Sequence, residues 1–131
     1  MSKWKVFEKR SRSGKYSYYK SDPCIIVASN RRFVITYPLF ELMGKPDRVL
    51  MLSDGGGRLG FRGVTKKDPQ FEEAYAFSTT GEGEGAVHYL NAGAFIRENN
   101  LRENSVCKEI YIEDDIVIAN KSDFQPARYK A

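Results

Sequence analysis

The chain has 131 residues, 41% of them apolar, with eight Phe, eight Tyr and a formal charge of +4. That length supports one hydrophobic core but not two. No run approaches the roughly 20 apolar residues needed to cross a bilayer, and no apolar signal core follows Lys3 and Lys5, so a soluble cytoplasmic chain without membrane contact is expected.

In chain order, residues 3–9 alternate Trp4 and Val6 against Lys3, Lys5 and Phe7, as a strand would. Residues 11–15 form a turn around Gly14, and residues 16–19 read as a second strand or an ordered loop. Residues 1–23 are therefore expected to make a basic, aromatic hairpin or arm that ends at Asp22-Pro23. The apolar run at residues 24–28 fits a strand covered on both faces, and residues 29–32 then turn the chain, leaving Arg31 and Arg32 at a hairpin tip. Cys24 and Cys107 sit in apolar strand patterns, where small buried residues belong; two cysteines allow one disulfide but no framework.

The next stretch is written twice. Residues 33–35 lead to the cap candidate Thr36, a helix with Leu39, Phe40, Leu42 and Met43, a stop at Gly44 and Pro46, a strand at 49–52, a glycine turn at 54–57 and a strand at 59–62. Pro38 falls in the first helical turn, where its missing N–H costs nothing. About 55 residues later come residues 87–90, the cap candidate Asn91, a helix with Phe95 and Ile96, a stop at Asn99-Asn100, a strand at 108–112, a turn at 113–115 and a strand at 116–119. Thr36 falls on Asn91 and Phe40 on Phe95 at one offset, which grows by two to four residues before the second turns align. Residues 63–71 connect the halves, residues 71–79 form a strand, residues 81–85 a flexible tip, and residues 121–131 a tail on which Phe124 or Tyr129 could pack back. The expected fold is mainly β: one domain holding a small pseudo-twofold β-barrel of two strand-helix-hairpin repeats, at 24–63 and 71–120, with short helices and an N-terminal hairpin.

Two such units in one chain resemble the cradle-loop barrels, the group that holds AbrB-like swapped-hairpin proteins and RIFT-type barrels. The resemblance covers residues 24–120 and rests on the order and spacing of elements, with Thr36-Tyr37-Pro38 similar to the AbrB strand-to-helix junction and residues 54–57 to its closing hairpin. It implies a six-stranded barrel with a short helix over each end. AbrB-type arginines near the start of the barrel face DNA; only Arg31 and Arg32 match them here, because the second half has Gly85 and Ala86. A one-sided rather than a symmetric DNA-facing surface follows.

Charge placement adds to this. Residues 1–33 hold nine Lys or Arg against Glu8 and Asp22, a net +7, while the remaining residues hold twelve basic and fifteen acidic side chains, a net −3. A polyanionic partner fits that asymmetry, and so does a solvated basic edge that resists aggregation. Phosphates require cations, and single strands also reward flat rings, worth about 1–3 kcal/mol per stacked base. Lys3, Trp4, Lys5, Arg10, Arg12, Lys15, Tyr16, Tyr18, Tyr19, Arg31 and Arg32 supply both and form the candidate nucleic-acid-binding set. The competing reading has Trp4 and some tyrosines capping the barrel end.

No catalytic, metal or cofactor site is expected. His88 is the one histidine and has no partner motif, so a structural or exposed role is expected; the loops at 55–58 and 81–85 lack phosphate-loop spacing; and the acids at 113–115 fit a solvated turn. The expected function is a non-enzymatic nucleic-acid-binding protein, a regulator in character, with DNA preferred over RNA, acting as a monomer or homodimer. The alternative is a phage or mobile-element accessory protein that inhibits a host or defence protein through Glu82, Glu84, Glu113, Asp114 and Asp115. A small-ligand or enzymatic barrel would need a polar pocket with His88 beside a carboxylate.

Overall fold

The computed structural model describes Tyr19, residues 21–81 and residues 86–127. The chain is mainly β: ten antiparallel strands in one strongly curled half-barrel sheet, with two short helices. The first half comprises β1 (Ile25–Val27), β2 (Arg32–Ile35), α1 (Tyr37–Leu42), β3 (Arg48–Ser53) and β4 (Arg58–Val64). The second comprises β5 (Tyr75–Thr80), β6 (Val87–Asn91), α2 (Gly93–Glu98), β7 (Ser105–Cys107), β8 (Ile110–Glu113) and β9 (Ile116–Asn120), and β10 (Gln125–Pro126) follows.

The strand order β10-β7-β1-β2-β6-β5-β3-β4-β9-β8 explains the curl. β7 and β8 lie near opposite ends of that order, yet only Lys108 and Glu109 separate them. Three peptide steps from Cys107 to Ile110 span at most about 11 Å, so the sheet must bend until its ends nearly meet. A single strand was expected at 108–112. Instead β7 pairs with β1, opposing Cys107 to Ile25, and β8 pairs with β9, opposing Ile112 to Val117.

The two halves share a hydrogen-bond pattern around their helices. Phe40 N–H to Thr36 O, Met43 N–H to Leu39 O, Gly44 N–H to Glu41 O and Lys45 N–H to Phe40 O each recur 56 residues later, from Ile96, Asn99, Asn100 and Leu101. In the strands the core-facing pair Phe33 and Ile35 corresponds to His88 and Leu90, an offset of 55. The extra residue is Ala92, which replaces the expected Asn91 before α2, so Phe40 corresponds to Ile96 rather than to Phe95. By β9 the offset has grown to 58, with Val117 and Ala119 filling the core as Leu59 and Phe61 do.

Thr36 precedes α1 without a side-chain cap, and Pro38 lies in the first turn of the helix. The Thr36 hydroxyl instead donates to Asp22 O at 2.6 Å and accepts the Cys24 N–H at 3.0 Å, which fastens the entry of β1 to the end of β2. β1 is buried on both faces, as its unbroken apolar run predicts. Ile25 and Val27 join the main core with Phe33, Phe61 and Leu90, while Cys24, Ile26 and Ala28 join an outer cluster with Tyr19, Val34 and Val106. Beyond Asn120 the chain continues in a 3-10 turn, Lys121–Asp123, and returns along β7 as β10, with Phe124 packed against the core. Phe71–Glu73 is likewise a 3-10 turn where a strand was expected.

Candidate nucleic-acid interface

Of the eleven residues proposed to contact nucleic acid, Lys3, Trp4, Lys5, Arg10, Arg12, Lys15, Tyr16 and Tyr18 lie outside the described residues. Tyr19 departs from the expectation of an accessible ring: it is 3% exposed and packs on Ile26, Val34 and Val106. Arg31 and Arg32 stand where the sequence puts them, at the β1–β2 hairpin tip.

That tip is tightly made. Ala28 N–H donates to Arg32 O at 2.8 Å, Arg31 N–H to Ala28 O at 3.1 Å, and Arg31 takes a left-handed backbone with φ 58. A non-glycine residue there is uncommon, so the turn holds its arginine at a cost in backbone freedom. The Arg31 guanidinium is about half exposed, 3.4 Å from the Glu103 carboxylate. A pair so open to solvent contributes at most about 1 kcal/mol and exchanges readily for another anion. Arg32 lies over the Tyr89 ring, its Cζ 4.3 Å from the ring centroid. Its Nε is buried with no hydrogen-bond partner among the described residues.

Asn30, Arg31, Arg32, Asn91 and Gly93 line an open depression of about 580 Å³ beside this tip. Three of them were missed from the sequence, as were Glu103 and Tyr89. Tyr89 alternates with His88 and Leu90, which the pairing of β2 with β6 turns toward the core, and so points outward with Arg32; nothing local marks Glu103.

The other loops can be assessed by their bonds. The glycine loop at 55–58 points its N–H groups inward, but the chain's own anion fills it. Asp54 Oδ1 accepts Gly56 N–H at 2.7 Å and Arg58 N–H at 3.0 Å, and Oδ2 meets Arg58 Nε at 2.8 Å. These bonds hold the Asp54 carboxyl down at about 2, the Arg58 side chain contributing most. A phosphate would have to displace a carboxylate already held. In the connector, Arg62 is bound by Asp68 at 2.7 Å and by Gln70 at 2.8 Å.

His88 is buried beneath α1. Its ring stacks on Phe40 and meets Phe77 edge-on, and Nδ1 lies 3.1 Å from Thr79 Oγ1. Nε2 is buried and unpartnered among the described residues. Burial pushes the imidazole below its ordinary value of 6.5, which favours the neutral form. With the proton on Nδ1 donating to Thr79, only a lone pair at Nε2 goes unmet, a smaller penalty than an unmet N–H. No carboxylate is bonded to the ring among the described residues. Nor is there, among those residues, any group of three His, Cys, Asp or Glu side chains able to hold a metal ion, or any helix long and apolar enough to cross a membrane.

Comparison with protein-family models, with curated proteins and with solved structures finds no match for this chain.

Proposed function

We propose that this is a non-enzymatic nucleic-acid-binding protein, a regulator acting on DNA, that contacts phosphates through its basic first quarter and the Arg31-Arg32 tip. One observation carries the reading: the two described cations of that quarter stand together on the rim of an open depression, one exposed and one laid on a tyrosine. Arg31 supplies a charge that can leave Glu103 for a phosphate, and Arg32 is oriented by its ring. Asn30 and Asn91 add amide donors, but nothing there is deep enough to read base edges, so weak sequence preference follows. The paired strand-helix-hairpin units support an AbrB-like or RIFT-type cradle-loop assignment for the fold.

Titration of labelled single- and double-stranded DNA at rising salt tests the reading. Binding at low salt whose logarithm falls linearly with the logarithm of salt is expected. Absence of binding at low salt, or indifference to salt, overturns it.

The second reading, an accessory protein that inhibits a host factor, draws on the acidic turn after β8. Glu113, Asp114 and Asp115 are exposed there with no ion pair among the described residues, while Glu82 and Glu84 lie outside those residues.

A further inference from the structure

The two halves of the molecule differ at one matched place. Opposite strand partners make Ile112, which faces Val117, the counterpart of Ser53, which faces Leu59. The helix bonds make Met43 the counterpart of Asn99. In one half the Ser53 hydroxyl donates to Asn99 Oδ1 at 3.3 Å, and the end of α2 is latched to β3. In the other half Met43 and Ile112 have no such bond. Between the end of α1 and the β8–β9 hairpin lies a depression of about 400 Å³ lined by Leu42, Met43, Ile112, Asp114 and Asp115.

Its floor is apolar and open: Leu42 is 57% and Ile112 49% exposed, and they rank among the most exposed large hydrophobic residues described. Its rim is acidic. Arg62, the one cation among the described residues lining it, is held by Asp68, so Asp114 and Asp115 set the local charge there. Its side is a sheet edge. β8 pairs only with β9 among the described strands, and Ile110 N–H turns back to Lys108 O at 3.0 Å. Alternation then directs the Ile112 N–H and C=O away from β9 as well, with its side chain in the groove.

We infer that this groove binds an extended basic polypeptide segment of a partner protein, added as a strand along β8. An apolar side chain of that segment rests on Leu42 and Ile112 while flanking Lys or Arg side chains meet Asp114 and Asp115. Each element answers one part of such a ligand: the edge its main chain, the floor its apolar residue, the rim its cations. An acidic segment meets like charge at the rim, and a wholly polar one leaves the floor uncovered. The site is separate from the arginine tip and stands whether or not that tip binds DNA.

The probe is a fluorescein-labelled peptide of four Lys-Val repeats, followed by anisotropy against the full chain, with four Glu-Val repeats and octalysine as comparisons. The Lys-Val peptide is expected to bind at least tenfold more tightly than either. Ile112→Ser and Leu42→Ser, both at exposed positions that folding tolerates, should each weaken it about fivefold or more. Asp114→Asn with Asp115→Asn should weaken it and flatten its salt dependence, while Arg31→Ala leaves it unchanged. Equal binding of octalysine, or indifference to Ile112→Ser, overturns the inference. So does a cross-link from the groove to residues 1–18 of the chain, or dimerisation that Ile112→Ser abolishes, since either names a different occupant.

Discussion

His88 lies flat on Phe40, ring centroids 3.8 Å apart and planes within 16° of parallel. Its counterpart in the first half is Phe33, which meets Phe95 edge-on at 6.1 Å beneath α2. A histidine has thus taken a core aromatic position, and it remains there as a neutral ring. Between pH 6.5 and its lowered folded value, the unfolded chain binds a proton that the folded chain refuses. The folded state is therefore expected to lose stability as pH falls below about 6.5, levelling off beneath the folded value. Urea midpoints measured from pH 8 to pH 5 check this against His88→Phe. The wild-type midpoint should fall more steeply than the variant's, and parallel curves would refute the assignment. His88→Ala, which empties the sandwich, should cost about 2–4 kcal/mol at every pH.

A backbone approach is equally testable. A Cβ added at Gly63 would lie 2.7 Å from Pro46 Cβ and 2.9 Å from its Cγ. The proline ring sits in the α1–β3 link and cannot swing aside, so Gly63→Ala should destabilise by about 1–3 kcal/mol. Thermal unfolding of the double-mutant cycle with Pro46→Gly separates this clash from other causes. In the Pro46→Gly background the same substitution should cost less than half as much.

These two positions show what the sequence could and could not convey. The elements themselves were readable, because 3.6-residue and two-residue periodicities, Pro38 and the glycine turns are local signals. β1 could even be read as covered on both faces from its unbroken apolar run. Lys108 and Glu109 interrupt the apolar pattern of residues 105–113 between β7 and β8, but that the two pair with different distant strands, β1 and β9, could not be read. Alternation separated His88 from Val87 and Tyr89 without saying which face was inside; that follows from the pairing of β2 with β6. Of the candidate site, the hairpin tip was visible, whereas Glu103 reaches Arg31 only through tertiary packing.

The glycine loop at 55–58 depends on a carboxylate. Asp54 is held at about 2, so its contribution is fully present above 3.8 and is lost as pH falls through about 2. A carboxyl-carbon NMR titration should place its midpoint at about 2. Asp54→Asn keeps the shape but not the charge, and should loosen the Arg58 side chain and raise amide exchange at Gly56 and Arg58. Unchanged exchange would mean that the loop holds its form without the carboxylate.

The thiols should be inert in the fold. Burial raises Cys24 to about 12 and Cys107 to about 11, so almost no thiolate exists at neutral pH. Labelling by a soluble disulfide reagent should proceed only as fast as the protein opens. It should quicken in Gly63→Ala, as opening becomes more frequent. Rapid labelling of both thiols in the wild type would contradict their burial.

The arginine tip separates charge from platform. Arg31→Ala removes an exposed cation from a pair that contributes little, so stability should change by less than about 0.5 kcal/mol. If Arg31 meets a phosphate, DNA affinity should fall and the salt slope should shrink by about 0.9. Arg32→Lys keeps the charge but loses the guanidinium placed over Tyr89, so it should preserve the slope while lowering affinity. Tyr89→Ala should reproduce Arg32→Lys, because it removes the surface that orients the guanidinium rather than the charge. Glu103→Gln should strengthen binding, since the competing carboxylate is gone. Salt titrations of these four variants on one duplex decide the matter: a slope unchanged in Arg31→Ala would show that Arg31 contacts no phosphate, and would leave binding to Arg32 and other residues of the basic first quarter.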